Sequence, residues 1–374
     1  MDFESSSQRA RWLFTPEKLL QIRTEKRRCS LEAIKQAVAE KQDGPTEGKV
    51  HAVKLEEASK LLRYFSIKIQ EASAKFKLPK KVAGAAIIFL QRTYLHISIL
   101  DRDPADLVMC CIYLACKVEE HYMSAETLAK TINGLEEADL LTNEPILLDA
   151  LHFDLITHPP YRSIEGFMLD IASMAHSEGS NGNSEAAGIA ATPEQQHRAR
   201  EHAMAAADAL LLTDAPLLFP PAQLGLAAVR SGIRHVGLSF TPYLERAASQ
   251  ASSPGSTAGT VPQGTEVEYL RGQLDAIDKY GLEGATKVDE KELRRIDRKL
   301  KGCRNWSQDP KSEAYKSAQA QQQQQLAAQR SHKLAARKQT GEKREAEALG
   351  WSGSHQQNSS PPVSQPSKRR KSEA

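Results

Sequence analysis

Two charged residues beside apolar segments, Lys117 and Glu144, are the strongest candidates for a functional contact in this sequence. Lys117 lies near the end of a markedly apolar stretch, and Glu144 begins another that continues to Leu151. A charge at the rim of a buried helix is costly unless water or a partner satisfies it. Long side chains often reach solvent without any partner. From the residues alone, a solvated side chain and a contact with another protein both remain open.

Signatures of common catalytic and cofactor sites are missing from the sequence. It contains no GxxxxGK[ST] loop, no GxGxxG, no HExxH and no GxSxG. His121 follows two glutamates without a third ligand at metal spacing, and His152 and His158 flank apolar residues as packed or surface histidines do. Asp103 precedes a proline as a helix cap would, which disfavours an acid pair with Asp101. We therefore expect a non-catalytic protein with no cofactor and no metal.

The composition is that of a globular protein with tails. Of its 374 residues, 40% are hydrophobic and 26% are charged, and the net charge of +3 is too small to indicate bulk nucleic acid as a ligand. No run approaches the roughly 20 apolar residues of a membrane helix, and residues 1–7 contain no signal-peptide core. The five cysteines show no CxxC spacing, which argues against disulfides and zinc. We expect an intracellular protein that binds no membrane and no nucleic acid directly.

Helical periodicity is strong in the first half of the chain. Apolar residues recur at three- and four-residue steps in Pro79–Ile97. Asp103 then opens a segment, running to Val118, that is apolar on nearly all sides, and we expect a central, buried helix there. Shorter helices fit Ala125–Ile132 and Glu144–Leu151.

A second set of helices follows in similar order. They fit Ile164–Met174, Pro193–Leu212, Pro221–His235 and, as shorter segments, Tyr243–Ala248 and Glu266–Tyr280. The two halves, about Lys54–Thr157 and Pro160–Gly281, thus contain roughly five helices each, which suggests a structural duplication. The sequence therefore predicts an all-α fold.

Further helices are expected outside the two halves. Thr15-Pro16 resembles a helix start, and Asp289 with Glu292 resembles a capping box ahead of one narrow apolar stripe. The stripe consists of Leu293, Ile296 and Leu300. Each flanking helix could pack on its own protein or bind a partner, and packing is the more frequent case.

Three stretches have the composition of disordered segments. Residues 176–191 and 249–264 are rich in Gly, Ser, Ala and Pro, and residues 307–374 form a polar tail with a glutamine run. Near the end of the tail lies a basic cluster made of Lys368, Arg369, Arg370 and Lys371. Such a cluster suits a nuclear import receptor or a nucleic-acid backbone, or simply solvates the end of the chain.

Three segments resemble the first cyclin box. They are LPKKVAGAAIIFLQRTYL (Leu78–Leu95), DPADLVMCCIYLACKVEE (Asp103–Glu120) and EPILLDALHFDL (Glu144–Leu155). The resemblance implies two tandem five-helix cyclin boxes, flanked by an N-terminal and a C-terminal helix. The implied divisions are an N-terminal extension (1–53), a first box (54–157), a second box (158–285), a C-terminal helix (286–306) and the tail (307–374).

Other segments resemble the H-type transcriptional cyclins. They are SSQRARWLFTPEKL (Ser6–Leu19), HPPYRSIEGFMLDI (His158–Ile171) and ADALLLTDAPLLFPPAQLGLAAV (Ala207–Val229). The resemblance implies a nuclear regulatory subunit that binds and activates a cyclin-dependent kinase. The expected complex is the CDK-activating kinase of transcription factor IIH, with a RING-finger assembly factor as a further partner. It would phosphorylate the RNA polymerase II tail and the activation loops of other kinases.

The resemblance also gives roles to individual residues. Lys117 and Glu144 match the lysine and glutamate with which cyclins contact backbone groups of the kinase, and Glu120 is expected to bind the kinase as well. Leu61–Phe65 and Lys68 fall where cell-cycle cyclins dock substrates, but they do not match that patch. Two alternatives remain: a C-type cyclin of the Mediator kinase module, and a DNA-binding initiation factor with the cyclin fold, which would carry a zinc ribbon that this sequence lacks.

Overall fold

The computed structural model describes residues 3–40, 52–132, 134–178, 191–251, 263–305 and 312–348. The chain divides into two compact units, Met1–Asp309 and Pro310–Ala374. Across the described ranges every regular element is a helix, in agreement with the all-α prediction. None of these helices is both long enough and apolar enough to cross a membrane.

The first seven helices form the N-terminal half of the larger unit. They are α1 (Ser7–Arg11), α2 (Pro16–Glu40), α3 (Leu55–Lys75), α4 (Lys80–His96), α5 (Pro104–Val118), α6 (Ala125–Thr131) and α7 (Glu137–Ala150). Helix α5 packs against α3, α4 and α7, and most of its residues are buried. Asp103 caps its start by accepting a 3.0 Å hydrogen bond from the Ala105 amide. The prediction of a central, buried helix is confirmed.

Seven more helices complete this unit. They are α8 (Tyr161–Glu178), α9 (Pro193–Leu211), α10 (Ala215–Leu218), α11 (Pro221–His235), α12 (Thr241–Ala251), α13 (Gln263–Ala285) and α14 (Glu290–Gly302). Helices α9 and α11 pack closely, since Ala199 and Ala203 of α9 are fully buried. A Cβ atom at Gly232 of α11 would lie 2.2 Å from the Ala199 carbonyl oxygen. Only glycine allows this approach.

Helix α7 begins seven residues earlier than the sequence pattern indicated. We expected Glu144 and Pro145 to open it, because proline favours the first turn of a helix. Instead the backbone amide of Glu136 is capped by Asp139 at 3.3 Å, and Pro145 lies inside the helix. The Asn143 side chain donates a 2.9 Å hydrogen bond to the Asp139 carbonyl. This earlier start places Glu144 in the middle of the helix.

Both flanking helices pack on their own protein. Helix α2 contacts α3 and α4, and α14 contacts α3 through the predicted apolar stripe, which is buried. The expected capping box of α14 is half correct. Asp289 accepts a 3.0 Å hydrogen bond from the Lys291 amide, but Glu292 forms an ion pair with Lys60 of α3 at 2.8 Å.

The prediction of disorder is wrong for part of the C-terminal tail. Residues Glu313–Ala348 form helix α15, and its described side chains are mostly exposed. Ala, Gln, Lys, Arg and Glu dominate this segment, and they are strong helix formers even where no core is buried. Low hydrophobicity therefore did not distinguish an exposed helix from disorder. The basic cluster of residues 368–371 lies outside the described residues.

The two inserts lie mostly outside the described residues. The structure adds only their margins: α8 continues to Glu178, α12 to Ala251, and α13 starts at Gln263. Helical structure at these margins shortens the segments for which disorder remains a prediction. The domain boundaries drawn from the sequence also remain predictions.

Candidate protein-binding surface

Helices α5 and α7 bring Lys117 and Glu144 together. The Lys117 ammonium group donates a hydrogen bond to Oε1 of Glu144, although the two residues are 27 positions apart. The Lys117 Nζ atom also lies 5.0 Å from the ring centroid of Tyr113, one turn earlier on α5. The hydrogen bond that Lys117 donates to Glu144 raises the pKa of Lys117, although burial opposes this shift. Lys117 therefore keeps its charge at neutral pH, and the hydrogen bond holds the two side chains together.

The two partners differ in how far they reach solvent. The Lys117 side chain is 42% exposed, whereas that of Glu144 is only 15% exposed. An ion pair this accessible contributes about 0–1 kcal/mol to stability, so folding does not depend on it. The arrangement instead presents one recessed acceptor and one accessible donor. A partner backbone can bind such a pair through an N–H group and a carbonyl oxygen.

Glu120 lies in the turn that ends α5, and the structure does not join it to the pair. Its backbone is left-handed, with φ of 56°, and the next amide, of His121, donates a 2.9 Å hydrogen bond back to the Cys116 carbonyl. A left-handed residue at this position is a common helix terminator. Within the described part of the chain, the Glu120 carboxylate forms no hydrogen bond or ion pair. A role in partner binding remains a prediction.

An exposed apolar face accompanies the ion pair along α7. Leu141 and Leu148 lie three residues before and four residues after Glu144, so the helix places them on the same face. Leu141 is 48% exposed, and Phe153, just beyond the helix, is 70% exposed. Leu148 is half-buried and packs partly against the core. Exposed apolar and aromatic side chains are enriched where proteins bind one another. We call Lys117, Glu144, Leu141, Leu148 and Phe153 the α5/α7 surface.

Phe153 is held in an unusual backbone conformation. His152 and Phe153 are both left-handed, with φ of 51° and 59°, and the Phe153 amide donates a 3.1 Å hydrogen bond to the Leu148 carbonyl. For residues other than glycine this conformation costs about 1–2 kcal/mol. The two left-handed residues terminate α7, as Glu120 terminates α5. The turn leaves the Phe153 ring in solvent, where a partner can contact it. The sequence did not show this, because no local pattern distinguishes an exposed Phe153 from a packed one.

The other sequence candidates have structural explanations. His152 packs edge-on against His96, with ring centroids 4.3 Å apart, and His158 packs against Phe3 at 5.8 Å. The described residues contain no cluster of three or more potential metal ligands. All five cysteines are free, and burial raises the pKa of Cys110 to about 12. That thiol stays protonated and packs as a small hydrophobic group.

Arg63, in the segment that corresponds to the cell-cycle substrate patch, is engaged within the molecule. Its guanidinium donates hydrogen bonds to the carbonyls of Gly284, at 2.9 Å, and of Thr286. It therefore caps the end of α13 from α3. This use of the side chain is consistent with the expected loss of the patch.

Comparison with known proteins identifies two family domains. Residues 45–156 match the cyclin N-terminal domain, and residues 159–305 match the cyclin C-terminal domain. Cyclin-H1-1 of Arabidopsis thaliana is 30% identical over 321 residues, which cover 81% of this chain and 88% of the relative. Cyclin-H of Xenopus laevis is 26% identical, and the match covers 65% of this chain and 72% of the relative. Cyclin CCL1 of Saccharomyces cerevisiae is 28% identical, and the match covers 68% of this chain and 64% of the relative.

Solved structures share the fold. A chain in the CAK complex of Chaetomium thermophilum bound to ATP-gamma-S aligns with a TM-score of 0.68 at 20% identity, covering 87% of this chain and 94% of that one. A chain in the yeast TFIIK (Kin28/Ccl1/Tfb3) complex aligns with a TM-score of 0.54 at 24% identity, covering 74% and 100%. The expected tandem cyclin boxes are thus confirmed, and the chain belongs to the cyclin family, with relatives named cyclin H.

Proposed function

We propose that this chain is the regulatory subunit of a cyclin-dependent kinase, of the kind found in the CDK-activating kinase of transcription factor IIH. The observation that carries the proposal is the 30% identity to Cyclin-H1-1 over 88% of that relative's length. The fold shared with chains of the CAK and TFIIK complexes supports it. In this role the chain binds and activates the kinase and supplies no catalytic group.

The mechanism follows from what a protein kinase needs. Phosphoryl transfer depends mainly on positioning, and it requires a lysine–glutamate pair of the kinase to be in place. A subunit that binds only the conformation with that pair assembled shifts the population towards it. A shift from 1:99 to 99:1 requires about 5.5 kcal/mol of differential binding. A protein interface on the order of 2,000 Å² is large enough to supply this difference.

The α5/α7 surface is the proposed contact with the kinase. The recessed Glu144 carboxylate would accept a hydrogen bond from a kinase backbone amide, and Lys117 would turn its ammonium group to a backbone carbonyl. Phe153 would then bury its exposed ring against an apolar part of the kinase helix. Glu120, three residues beyond Lys117, is proposed to contact the rim of the same interface.

Further partners follow from the same assignment. A RING-finger assembly factor would complete the kinase complex, which would act on the RNA polymerase II tail and on the activation loops of other kinases. Nuclear residence is expected for such a complex, and the basic cluster formed by residues 368–371 would support import.

One competing assignment is a cyclin of the Mediator kinase module. The RNA polymerase II holoenzyme cyclin-like subunit of Chaetomium globosum is 27% identical over 236 residues, but only 54% of its length is covered. The kinase that co-purifies with the chain separates the two assignments. A DNA-binding initiation factor would instead show salt-dependent duplex binding by residues 1–305.

A pull-down from nuclear extract tests the proposal. Wild type should capture kinase activity towards an RNA polymerase heptad-repeat peptide, and Lys117→Ala and Glu144→Ala should each lose most of it while remaining helical. Lys130→Ala is a matched control, because Lys130 also pairs with a glutamate, Glu126 at 2.6 Å, but lies on α6. Absence of kinase activity in the wild-type pull-down would refute the assignment.

A further inference from the structure

A basic cavity lies between α2, the start of α3 and α14, away from the α5/α7 surface. Its volume is about 380 Å³. The residues that matter for its chemistry are Arg27, Leu31, Ile34, Lys35, Lys54 and Lys299. Four of these are cations, and the other two form an apolar floor. The basic cavity therefore combines positive charge with a place for an apolar side chain.

The described acidic residues neutralise only part of this positive charge. Lys299 forms an ion pair with Glu57 at 2.6 Å. Arg27 donates through Nε to the Val53 carbonyl at 2.8 Å, which is a neutral acceptor. The ammonium groups of Lys35 and Lys54 have no ion-pair partner among the residues that the structure describes. Counting only the residues that the structure describes, three positive charges thus face the basic cavity without a counter-charge.

The acidic residues that the structure describes near the basic cavity are already engaged elsewhere. On α2, Glu25 and Glu32 both bind Arg28, with shortest distances of 2.5 and 2.6 Å. Burial tends to raise the pKa of Glu57, but hydrogen bonds from Lys299 and from the Lys54 amide outweigh it and lower the pKa. Glu57 therefore stays ionised and holds α14 on α3. Its charge is used for folding and is not available to Lys35.

We propose that the basic cavity binds an acidic peptide segment of a partner protein. Carboxylates of the segment would contact Arg27, Lys35 and Lys54, and one apolar side chain would rest on Leu31 and Ile34. Charge complementarity favours an acidic partner. The apolar floor favours a peptide over a nucleic-acid duplex, because a duplex backbone has no apolar group that could contact Leu31 and Ile34. The cations also surround one concavity, whereas a duplex contacts an extended basic stripe.

The test uses the full-length chain and a fluorescein-labelled peptide, Asp-Glu-Leu-Glu-Asp, with Asn-Gln-Leu-Gln-Asn as its neutral counterpart. Fluorescence anisotropy should show binding of the acidic peptide alone, weakened when salt rises from about 50 to about 300 mM. The double variant Lys35→Glu/Lys54→Glu should bind at least tenfold more weakly. Arg198→Glu, an exposed cation on α9, should bind like wild type.

Several outcomes would overturn the proposal. These are failure of wild type to bind the peptide, equal binding by the cavity and control variants, or displacement of the peptide by a short DNA duplex at lower concentration. Residues 41–51 include Asp43 and Glu47. Binding that appears only after Asp43→Asn/Glu47→Gln would mean that this acidic segment of the same chain occupies the site. Salt-sensitive dimerisation that Lys35→Glu/Lys54→Glu abolishes would identify a second copy. Kinase activation should persist in the cavity variant, so this test is independent of the proposed function.

Discussion

The indole nitrogen of Trp12 donates a 2.9 Å hydrogen bond to Oδ2 of Asp154, a residue 142 positions later in the chain. The second carboxylate oxygen of Asp154, Oδ1, accepts a hydrogen bond from Arg11. The backbone carbonyl of Asp154 accepts one from the buried Arg92 at 3.2 Å. The Arg92 guanidinium lies 4.8 Å from the Trp12 ring centroid, within cation–π range. These contacts attach the N-terminal segment to the end of the first cyclin box.

Removal of this hydrogen bond should destabilise the folded chain. Trp12→Phe keeps most of the apolar ring but leaves the buried Asp154 carboxylate with one donor fewer, which should cost about 1–3 kcal/mol. Urea denaturation followed by circular dichroism measures the change. Tyr122→Phe, at an exposed ring, should alter the free energy of unfolding by less than about 0.5 kcal/mol. Equal stability of wild type and Trp12→Phe would contradict the role of the contact.

The close packing of α9 and α11 should not tolerate a side chain at Gly232. Gly232→Ala would place a methyl group against the Ala199 carbonyl and should cost about 1–3 kcal/mol or more. Gly272→Ala makes the opposite prediction, because nothing lies within 4 Å of its added Cβ atom. Alanine in that exposed helix interior should stabilise by about 0.5–1 kcal/mol. Thermal unfolding of both variants tests the two predictions. Equal changes in stability for Gly232→Ala and Gly272→Ala would contradict the close packing of α9 and α11.

Stability should decline as the solution becomes mildly acidic. Burial, helped by the neighbouring His152 and Lys26, lowers the pKa of His96. Protonation is then easier in the unfolded chain, where a histidine has a pKa of about 6.5. The stability that comes from keeping His96 neutral is complete above about pH 6.5. It is lost as the pH falls from there towards the lower pKa of His96 in the folded chain. Denaturation between about pH 7.5 and 5.5 should show a smaller loss for His96→Gln than for wild type. An identical loss of stability in His96→Gln and in wild type would contradict this role of His96.

Phe153 should matter for kinase binding and not for folding. Phe153→Gly removes the ring and also the left-handed strain, so stability should be unchanged or about 0.5–1 kcal/mol higher. Kinase affinity should fall, since truncation of a central aromatic anchor typically costs 2 kcal/mol or more, roughly 30-fold. Lys77→Gly is the control, because Lys77 is also left-handed, with φ of 54°, but lies elsewhere. A marked loss of stability in Phe153→Gly would point to a structural role instead.

Local patterns in the sequence predicted the central helix well. Asp103 and the proline after it are a start signal that acts over a few residues, and the apolar segment that follows has to be buried in any fold. The position of Pro145 misled, because Pro145 lies inside α7 although a proline usually breaks or kinks a helix interior. Helix α15 was missed because two features of its sequence predict different structures. High helix propensity favours a helix, whereas low hydrophobicity is typical of disorder.

The family resemblance gave Lys117 and Glu144 a shared role, but no spacing in the sequence indicates that the two side chains touch. Residues 27 positions apart meet only after α5 and α7 have packed. The contact of Trp12 with Asp154 and the grouping of Arg27 with Lys299 are likewise tertiary features without a local signal. Phe153 belongs with them, because its exposure depends on the turn that follows α7.

The equilibrium affinity of the chain for its purified kinase tests the central claim most directly. Isothermal titration calorimetry would compare wild type with Lys117→Glu and with the control Lys130→Glu. Charge reversal at the α5/α7 surface should cost about 2–5 kcal/mol, so the dissociation constant should rise about 30-fold or more, while the control stays within about twofold of wild type. Equal affinity of Lys117→Glu and wild type for the kinase would contradict the claim that this surface binds it.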